Sequence, residues 1–328
     1  MSSLAIRYHD YGNPVECLVA EKVHLPEVGL EQVLIKMLAA SINPSDFGII
    51  MGNYGLKKEL PTIAGREGVG EIIEVGKNVR HLKPGQWVQF PDGLGTWQES
   101  CVADAEDLKV LPEGLSLENA ATLFINPPTA WRLLHDFAEF KSGDWIVQNA
   151  ANSAVGIFVI QLAQKLGLKT LNIVRRKELK ERLKKLGADE VFSEEENYLK
   201  LIKDITDGKG IQLALNSVGG ESAVKLIKAL SPGGKHVTYG AMSFEPIRFP
   251  TRQLIFDGIT LTGFWVDSWI RSHSQEEVDF MFENIYSLIK TGTLFTIVEK
   301  WYSLPAFKEA LDHAAKPRFG KILFRGKT

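Results

Sequence analysis

The fold is decided by the apolar run Trp145-Ile146-Val147-Gln148-Asn149 and the turn that begins at its last residue, Asn149-Ala150-Ala151-Asn152-Ser153-Ala154-Val155-Gly156. The run does not alternate with polar residues, which is typical of a parallel strand buried on both faces. Apolar residues then recur at helical spacing as far as Leu166, and Gly167 marks the end of that helix. A second strand, Thr170-Leu171-Asn172-Ile173-Val174, follows directly. Strand, helix and strand in this order predict one unit of a doubly wound parallel sheet.

The same alternation continues downstream. Short apolar runs that are candidate strands occur at residues 190–192, 212–216, 235–239 and 260–264. Helical stretches separate several of these runs, as the crossovers of a parallel sheet require. We therefore predict an α/β domain of the Rossmann type over residues 122–264.

The first third of the chain has a different pattern. Apolar runs such as Val33-Leu34-Ile35-Lys36-Met37 are separated by turn residues such as Lys83-Pro84-Gly85, as in a small barrel or sandwich. The tail is helical over residues 278–289 and ends in Lys321-Ile322-Leu323-Phe324, a strand that needs a sheet to join. We predict that residues 1–121 and 265–328 form one β-rich domain.

Composition and charge exclude several classes of protein. The 328 residues are 45% hydrophobic and 24% charged, as in a two-domain globular protein. The formal net charge of -2, without runs of like charge, argues against nucleic-acid and membrane partners. Two cysteines cannot form a disulfide framework. The N-terminus has neither a signal core nor a transit peptide pattern, so we expect a cytoplasmic protein; a processed mitochondrial form would have the same pattern.

The turn after the first parallel strand is the candidate cofactor site. Free backbone N–H groups and the helix dipole favour a pyrophosphate at this position. Of the usual glycines only Gly156 is present, while Asn152 and Ser153 offer side-chain hydrogen bonds to phosphate. The same residues are also compatible with a polar loop that binds nothing.

The residues after the second strand distinguish between the two nicotinamide cofactors. NAD-binding sheets have an acidic residue here, which accepts a hydrogen bond from the ribose 2′-hydroxyl. This chain instead has Arg175, Arg176 and Lys177. Guanidinium groups bind a 2′-phosphate, whereas basic residues are unfavourable at the start of an ordinary helix. The pattern therefore predicts NADPH.

Two further motifs resemble those of the medium-chain dehydrogenases. Gly65-Arg66-Glu67 resembles their Gly-His-Glu signature, with Arg66 where the zinc-binding His belongs. Asn43-Pro44-Ser45-Asp46 resembles the loop of their first zinc-binding Cys, with Asn43 in its place. Because two of three ligands are missing, we expect no catalytic zinc. The resemblance implies a GroES-like catalytic domain beside the Rossmann domain.

Within that superfamily the chain most resembles the zinc-free trans-2-enoyl thioester reductases of the mitochondrial type. The matching segments run in family order along the chain: Asn43-Pro44-Ser45-Asp46, Gly52-Asn53-Tyr54-Gly55-Leu56, Gly93-Leu94-Gly95-Thr96-Trp97, Asn126-Pro127-Pro128-Thr129-Ala130, the turn 149–156, Leu215-Asn216-Ser217-Val218-Gly219-Gly220 and Gly263-Phe264-Trp265. The chain departs from the family at Trp131, usually Tyr, and at Ala154, often Gly. The resemblance implies NADPH-dependent reduction of the C2=C3 double bond of an enoyl-CoA or enoyl-acyl-carrier-protein.

The resemblance also assigns residues to the site. It implies that Tyr54 and Trp265 are catalytic. The turn residues Asn152, Ser153, Ala154 and Val155 and the basic residues Arg175, Arg176 and Lys177 are the cofactor contacts already predicted. The resemblance implies further contacts at Asn126, Tyr239, Gly240, Ala241, Met242, Phe264, Trp265, Val266 and Lys321. On sequence alone, Trp265 is equally compatible with a core tryptophan, Lys321 with a solvated lysine, and Arg66 with an ion pair to Glu67.

Reduction of an enoyl thioester needs hydride at C3, a proton at C2 and stabilisation of enolate charge on the thioester oxygen. Tyr54, in a glycine-flanked loop, is the candidate acid, since a phenol is protonated at neutral pH. An exposed loop tyrosine without a catalytic role is the alternative. Two rival functions stay open: a zinc-independent quinone or alkenal reductase, and an NADPH-binding structural or regulatory protein.

We also predict a homodimer. Superfamily members commonly pair the edge strands of two cofactor domains, which covers hydrogen-bonding groups that would otherwise be exposed. The candidate edge is the segment of residues 261–265.

Overall fold

The computed structural model describes residues 2–327. The chain divides into two compact units, Met1–Phe124 with Thr296–Thr328, and Ile125–Phe295. The first unit thus resumes at Thr296, whereas the sequence analysis placed this return at residue 265. The difference arises because α11 (Gln275–Lys290) buries Met281 and Ile285 and packs within the second unit against α4 (Asn126–His135).

The second unit contains a six-stranded parallel sheet. Its strands are β8 (Trp145–Gln148), β9 (Lys169–Val174), β10 (Glu190–Ser193), β11 (Ile211–Asn216), β12 (Lys235–Thr238) and β13 (Thr260–Gly263). They are arranged in the order β10-β9-β8-β11-β12-β13, and every neighbouring pair is parallel. This is the strand order 3-2-1-4-5-6 of a Rossmann sheet, so the predicted fold of this part is confirmed.

Helices connect and cover these strands. Besides α4 and α11, they are α5 (Ala154–Leu166), α6 (Lys180–Lys184), α7 (Ile202–Ile205), α8 (Gly220–Ala229), α9 (Thr251–Phe256) and α10 (Val266–Ser272). Gly167 ends α5 with a φ of 70°, in the left-handed region that favours glycine. Val147, Leu171 and Ile173 belong to one buried apolar cluster with Ala214 and Leu226, and this cluster fixes the sheet beneath the strand-to-helix turns.

The first unit is built mainly from antiparallel strands. These are β1 (Ser2–Tyr8), β2 (Val19–His24), β3 (Gln32–Ser41), β4 (Thr62–Ile63), β5 (Gly68–Val75), β6 (Trp87–Gln89), β7 (Ser100–Asp104), β14 (Val298–Ser303) and β15 (Lys321–Arg325). One sheet has the order β2-β1-β4 and the other β14-β15-β3-β5-β6, with β7 also paired to β3. The helices of this unit are α1 (Pro14–Cys17), α2 (Pro44–Ile50), α3 (Leu117–Ala120) and α12 (Phe307–Ala315).

The last strand closes the first unit, as the sequence predicts. β15 pairs antiparallel with β3, with Leu323 opposite Ser41 and Phe324 opposite Ala40. Phe324 is fully buried, and its ring meets Trp97 edge-on at 5.3 Å between centroids. Within residues 2–327, no helix is both long and apolar enough to span a membrane.

Candidate functional site

The candidate cofactor residues of the second unit meet at one edge of its sheet. The turns after β8, β11, β12 and β13 all leave the carboxyl ends of neighbouring parallel strands, and such ends lie on the same side. Three groups of the predicted cofactor contacts therefore lie at this edge: the turn 152–155, the turn 239–242 and the segment 264–266. Arg175, Arg176 and Lys177 follow β9, the next strand in the sheet.

In the turn from β8 into α5, the backbone at Gly156 lies very close to the backbone of Ala151. A Cβ atom on Gly156 would lie 2.7 Å from the carbonyl oxygen of Ala151, so no other residue fits without a shift of the backbone. Ser153 caps α5 by accepting a hydrogen bond from the N–H of Gly156 at 3.1 Å. The turn thus fits a phosphate group at a helix N-terminus.

Two buried asparagines hold this turn against the next strand. Asn149 donates to Asn216 Oδ1 at 2.7 Å and accepts from the N–H of Ser217 at 2.8 Å. Asn216 Oδ1 also accepts from the N–H groups of Val218 and Gly219, each at 3.1 Å. The sequence alone gave these asparagines no role, although each lies at the end of a predicted strand.

The three basic residues after β9 differ in their surroundings. Arg176 pairs with Glu178 at 3.5 Å and Lys177 with Glu195 at 3.1 Å. Arg175 is exposed and has no ion pair within residues 2–327. Its guanidinium is therefore the one of the three whose charge is not already offset by a neighbouring carboxylate.

The turn after β12 is fixed by main-chain hydrogen bonds to the turn after β11. Tyr239 donates from its N–H to the carbonyl of Asn216 at 2.9 Å, and Met242 donates to that of Ser217 at 3.0 Å. A Cβ on Gly240 would lie 3.0 Å from the Ser217 carbonyl oxygen. Ala241 and Met242 are exposed, which is compatible with a position on an open binding surface. Burial raises the pKa of Tyr239 to about 12, so its phenol is neutral.

The remaining candidates of the second unit lie on and beside α4 and α10. Asn126 is the first residue of α4 and is buried. Phe264 continues β13 by donating its N–H to the Thr238 carbonyl at 2.9 Å. Trp265 precedes α10, and the guanidinium of Arg271 lies 4.8 Å from its ring centroid; Val266 is buried.

Tyr54 and Lys321 belong to the first unit. Tyr54 is half-buried, and the guanidinium carbon of Arg66 lies 5.7 Å from the centroid of its ring. The ring also rests against the backbone of α2, where a Cβ on Gly48 would come within 3.1 Å of Tyr54 Cδ2. Tyr54 is thus held by two specific contacts, although it lies in a loop.

Lys321 is buried, so the alternative of a solvated lysine is wrong. Its ammonium donates to the carbonyl of Ile42 at 3.0 Å and to Asn43 Oδ1 at 2.6 Å. Burial lowers the pKa of this lysine, while the charges of Glu67 and Asp46 act in the opposite direction.

Glu67 completes a buried polar cluster with Asn43. Its carboxylate accepts from Ser41 Oγ at 2.7 Å, from Asn43 Nδ2 at 3.0 Å and from the N–H of Phe124 at 2.8 Å. Neither Ser41 nor these contacts could be recognised from the sequence, because they join residues that are distant along the chain.

This cluster does not fit a zinc ion. Asn43 and Arg66, which replace the expected zinc ligands in the sequence, offer an amide and a guanidinium, and the ammonium of Lys321, which donates to Asn43 Oδ1 at 2.6 Å, would repel a cation. Within residues 2–327, no group of three or more His, Cys, Asp or Glu side chains is arranged to hold a metal. Whether purified protein lacks zinc stays a prediction.

Asp46 is a second buried acid that the sequence did not single out. One carboxylate oxygen accepts from the N–H of Asn43 at 2.7 Å and so caps the start of α2. Burial raises the pKa of Asp46, and the cations Arg66 and Lys321 limit the rise. Two cations, Arg66 and Lys321, and two carboxylates, Asp46 and Glu67, therefore interact at the start of the helix that supports the Tyr54 ring.

Comparison with known proteins identifies the family. Residues 29–113 match the family model of the alcohol dehydrogenase GroES-like domain, and residues 154–283 match that of the zinc-binding dehydrogenases. The mitochondrial enoyl-acyl-carrier-protein reductase of Rattus norvegicus is 43% identical over 319 residues, which cover 95% of this chain and 86% of the rat protein. The chain belongs to the mitochondrial enoyl-acyl-carrier-protein reductase family. The resemblance stated from the sequence is thereby confirmed.

Solved structures agree with this family assignment. The 2-enoyl thioester reductase Etr1p of Candida tropicalis, in a heterodimer with Etr2p, has a TM-score of 0.90 and 27% identity over 99% of this chain and all of its own. A further Etr1p structure is a complex with NADP and crotonyl-CoA. A quinone oxidoreductase of Escherichia coli, solved with NADPH, has a TM-score of 0.85 and 26% identity over 98% of this chain and 99% of its own. The two-part fold of a GroES-like and a Rossmann domain is confirmed.

Proposed function

We propose that this protein is an NADPH-dependent trans-2-enoyl thioester reductase that saturates the C2=C3 double bond of enoyl-CoA or enoyl-acyl-carrier-protein. The observation that carries the proposal is Tyr54, a phenol held by Arg66 and Gly48 in a chain of the enoyl reductase family. A positioned proton donor without a zinc-binding donor set is what reduction of a conjugated thioester requires.

The cofactor fits the second unit. The N-terminal turn of α5, with Asn152 and Ser153, is the proposed pyrophosphate site, and Arg175 is the proposed partner of the 2′-phosphate. Arg175 is favoured over Arg176 and Lys177 because each of those already has a carboxylate partner. The turn 239–242, the segment 264–266, Asn126 and Lys321 are proposed as further contacts of the cofactor.

The chemistry divides between cofactor and protein. Bound NADPH supplies the hydride that C3 receives. Tyr54 is proposed to donate the proton to C2. Trp265 is proposed to orient the reacting groups with its ring rather than to transfer a proton, since indole is not an acid at neutral pH.

A homodimer is proposed as the working assembly. β13 is the last strand in the order of the parallel sheet, so one of its edges has no strand partner within residues 2–327. The preceding segment exposes Phe249, Ile255 and Phe256, with relative exposures of 52%, 66% and 73%. Unpaired strand edges and exposed apolar side chains are each typical of a subunit interface.

The compartment is proposed from the redox state of the thiols. Cys17 and Cys101 are both free, and burial raises the pKa of Cys101 to about 12, so it is an unreactive thiol. Free thiols suit the reducing interior of the cytoplasm or of the mitochondrial matrix. The relatives carry mitochondrial names, and fractionation of the source cells would distinguish the two.

A quinone or alkenal reductase is the second candidate, favoured by the likeness to the Escherichia coli quinone oxidoreductase. One assay separates the candidates: NADPH oxidation with crotonyl-CoA, a longer 2-enoyl-CoA and a quinone in parallel. We expect turnover of the thioesters to exceed that of the quinone. Turnover of the quinone alone would contradict the proposal, and no turnover of any substrate would favour an NADPH-binding protein without catalysis.

A further inference from the structure

Arg66 has a cationic side chain at the position where zinc-dependent relatives are expected to have a metal ligand. Its guanidinium does not bind a metal; it lies over the ring of Tyr54, with 5.7 Å between the guanidinium carbon and the ring centroid. This is within the range of a cation–π contact. The residue that replaces the zinc-binding His thus touches the proposed proton donor.

Several charged groups surround this pair within the first unit. Asp46, Glu67 and Lys321 interact electrostatically at the buried base of α2, and Arg66 is one of the cations that stabilise the Asp46 carboxylate. Lys58 lies near Asp46, Arg66 and Asp92, and its pKa is lowered chiefly by burial. Arg66 is the cation among these that contacts the Tyr54 ring face.

We propose that Arg66 is a positioning residue for Tyr54, which it orients and makes a stronger acid. The proposal rests on Tyr54 being the proton donor of the proposed function. A guanidinium held over a ring restricts rotation of the ring, and Gly48 of α2 lies against the same side chain. A fixed positive charge near a phenol favours the phenolate that remains after proton transfer.

The size of the effect follows from simple electrostatics. If the 5.7 Å from the guanidinium carbon to the ring centroid is taken as the separation, with an effective dielectric constant of about 20, a unit charge changes an acid equilibrium by roughly a hundredfold. Because Tyr54 is half-buried and the Asp46 carboxylate offsets part of the Arg66 charge, we expect a factor of about ten. Removal of the charge should therefore weaken the acid about tenfold and leave cofactor binding unchanged.

The test compares Arg66→Gln with the charge-retaining Arg66→Lys in steady-state reduction of crotonyl-CoA by NADPH over a range of pH. We expect Arg66→Gln to lower kcat about tenfold at neutral pH and to move the alkaline limb of the kcat profile upward by about one pH unit. Arg66→Lys should keep the limb close to that of the wild type. An equal loss in both variants at every pH, with no movement of the limb, would show a merely structural role.

A second measurement does not depend on turnover. The alkaline ultraviolet titration of the wild type minus that of Tyr54→Phe isolates one of seven tyrosines. Repeated in the Arg66→Gln background, or in Arg66→Met if the first variant does not fold, this difference titration should lie at higher pH. An unchanged titration would overturn the proposal even if the enzyme is active. Absence of thioester turnover in the wild type would instead remove the proposed function itself.

Discussion

Arg175 is the side chain on which the proposed preference for NADPH depends. It follows β9 at the carboxyl edge of the parallel sheet and is exposed, while both basic neighbours are paired with carboxylates. A guanidinium that is not engaged elsewhere can form charge-assisted bonds to a 2′-phosphate, a group that NADH lacks.

We predict that Arg175→Ala raises the KM for NADPH by about 10- to 100-fold and changes that for NADH by less than about twofold. Steady-state kinetics with both cofactors would measure this. Arg176→Ala is the matched control, with a smaller expected effect because Arg176 already pairs with Glu178. Equal losses for the two cofactors would mean that Arg175 has a structural role.

Single residues also mark the limit of prediction from the sequence. Tyr54 and the basic residues could be proposed because each belongs to a short local motif. The contacts of Arg66 with Tyr54, and of Lys321 with Asn43, join positions that are distant in sequence. The first pair joins two separate loops, and the second depends on the pairing of β15 with β3, which no local spacing encodes.

At the level of elements, β12 contains a buried histidine that should make the parallel sheet sensitive to acid. His236 is 1% exposed, and burial lowers its pKa to about 4, so it is neutral in the folded protein. Between pH 6.5 and 4 the unfolded chain binds a proton here that the folded chain does not. Stability contributed at this position is therefore present above pH 6.5 and is lost as the pH falls.

We predict that His236→Leu is more resistant to acid than the wild type. Relative to their difference at pH 7, the variant should gain about 2–3 kcal/mol in the free energy of unfolding at pH 4.5. Urea unfolding at both pH values measures the change. An equal pH dependence of the two proteins would show that His236 is protonated in the fold or does not titrate differently on unfolding.

The helices and strands of the second unit could be predicted better from the sequence than the point where this unit ends. The strand β8, the helix α5 and its end at Gly167 follow from apolar periodicity and one left-handed glycine. The end of the second unit was not predicted correctly. The chain from residue 265 onward was expected in the first domain, but the second unit continues to Phe295. α11 is amphipathic, and periodicity alone does not tell which unit receives its buried face.

For the whole molecule, the testable claim is the homodimer. We predict a mass near twice 36.5 kDa by light scattering at micromolar concentration. Ile255→Lys combined with Phe256→Lys should shift the protein to monomer, because both side chains are exposed and their replacement with charge leaves the core intact. Phe280→Lys, at a 62% exposed residue of α11, is the control that should stay dimeric. A monomeric wild type would contradict the prediction.

The central claim is that Tyr54 delivers the proton that completes reduction of the enoyl thioester, and Tyr54→Phe tests it most directly. The change removes one hydroxyl and keeps the ring that contacts Arg66 and Gly48, so the fold should be preserved. We predict that kcat with crotonyl-CoA falls by about 10²–10⁴-fold, while the dissociation constant of NADPH, measured by fluorescence titration, changes by less than about twofold. Full kcat in Tyr54→Phe would contradict the account.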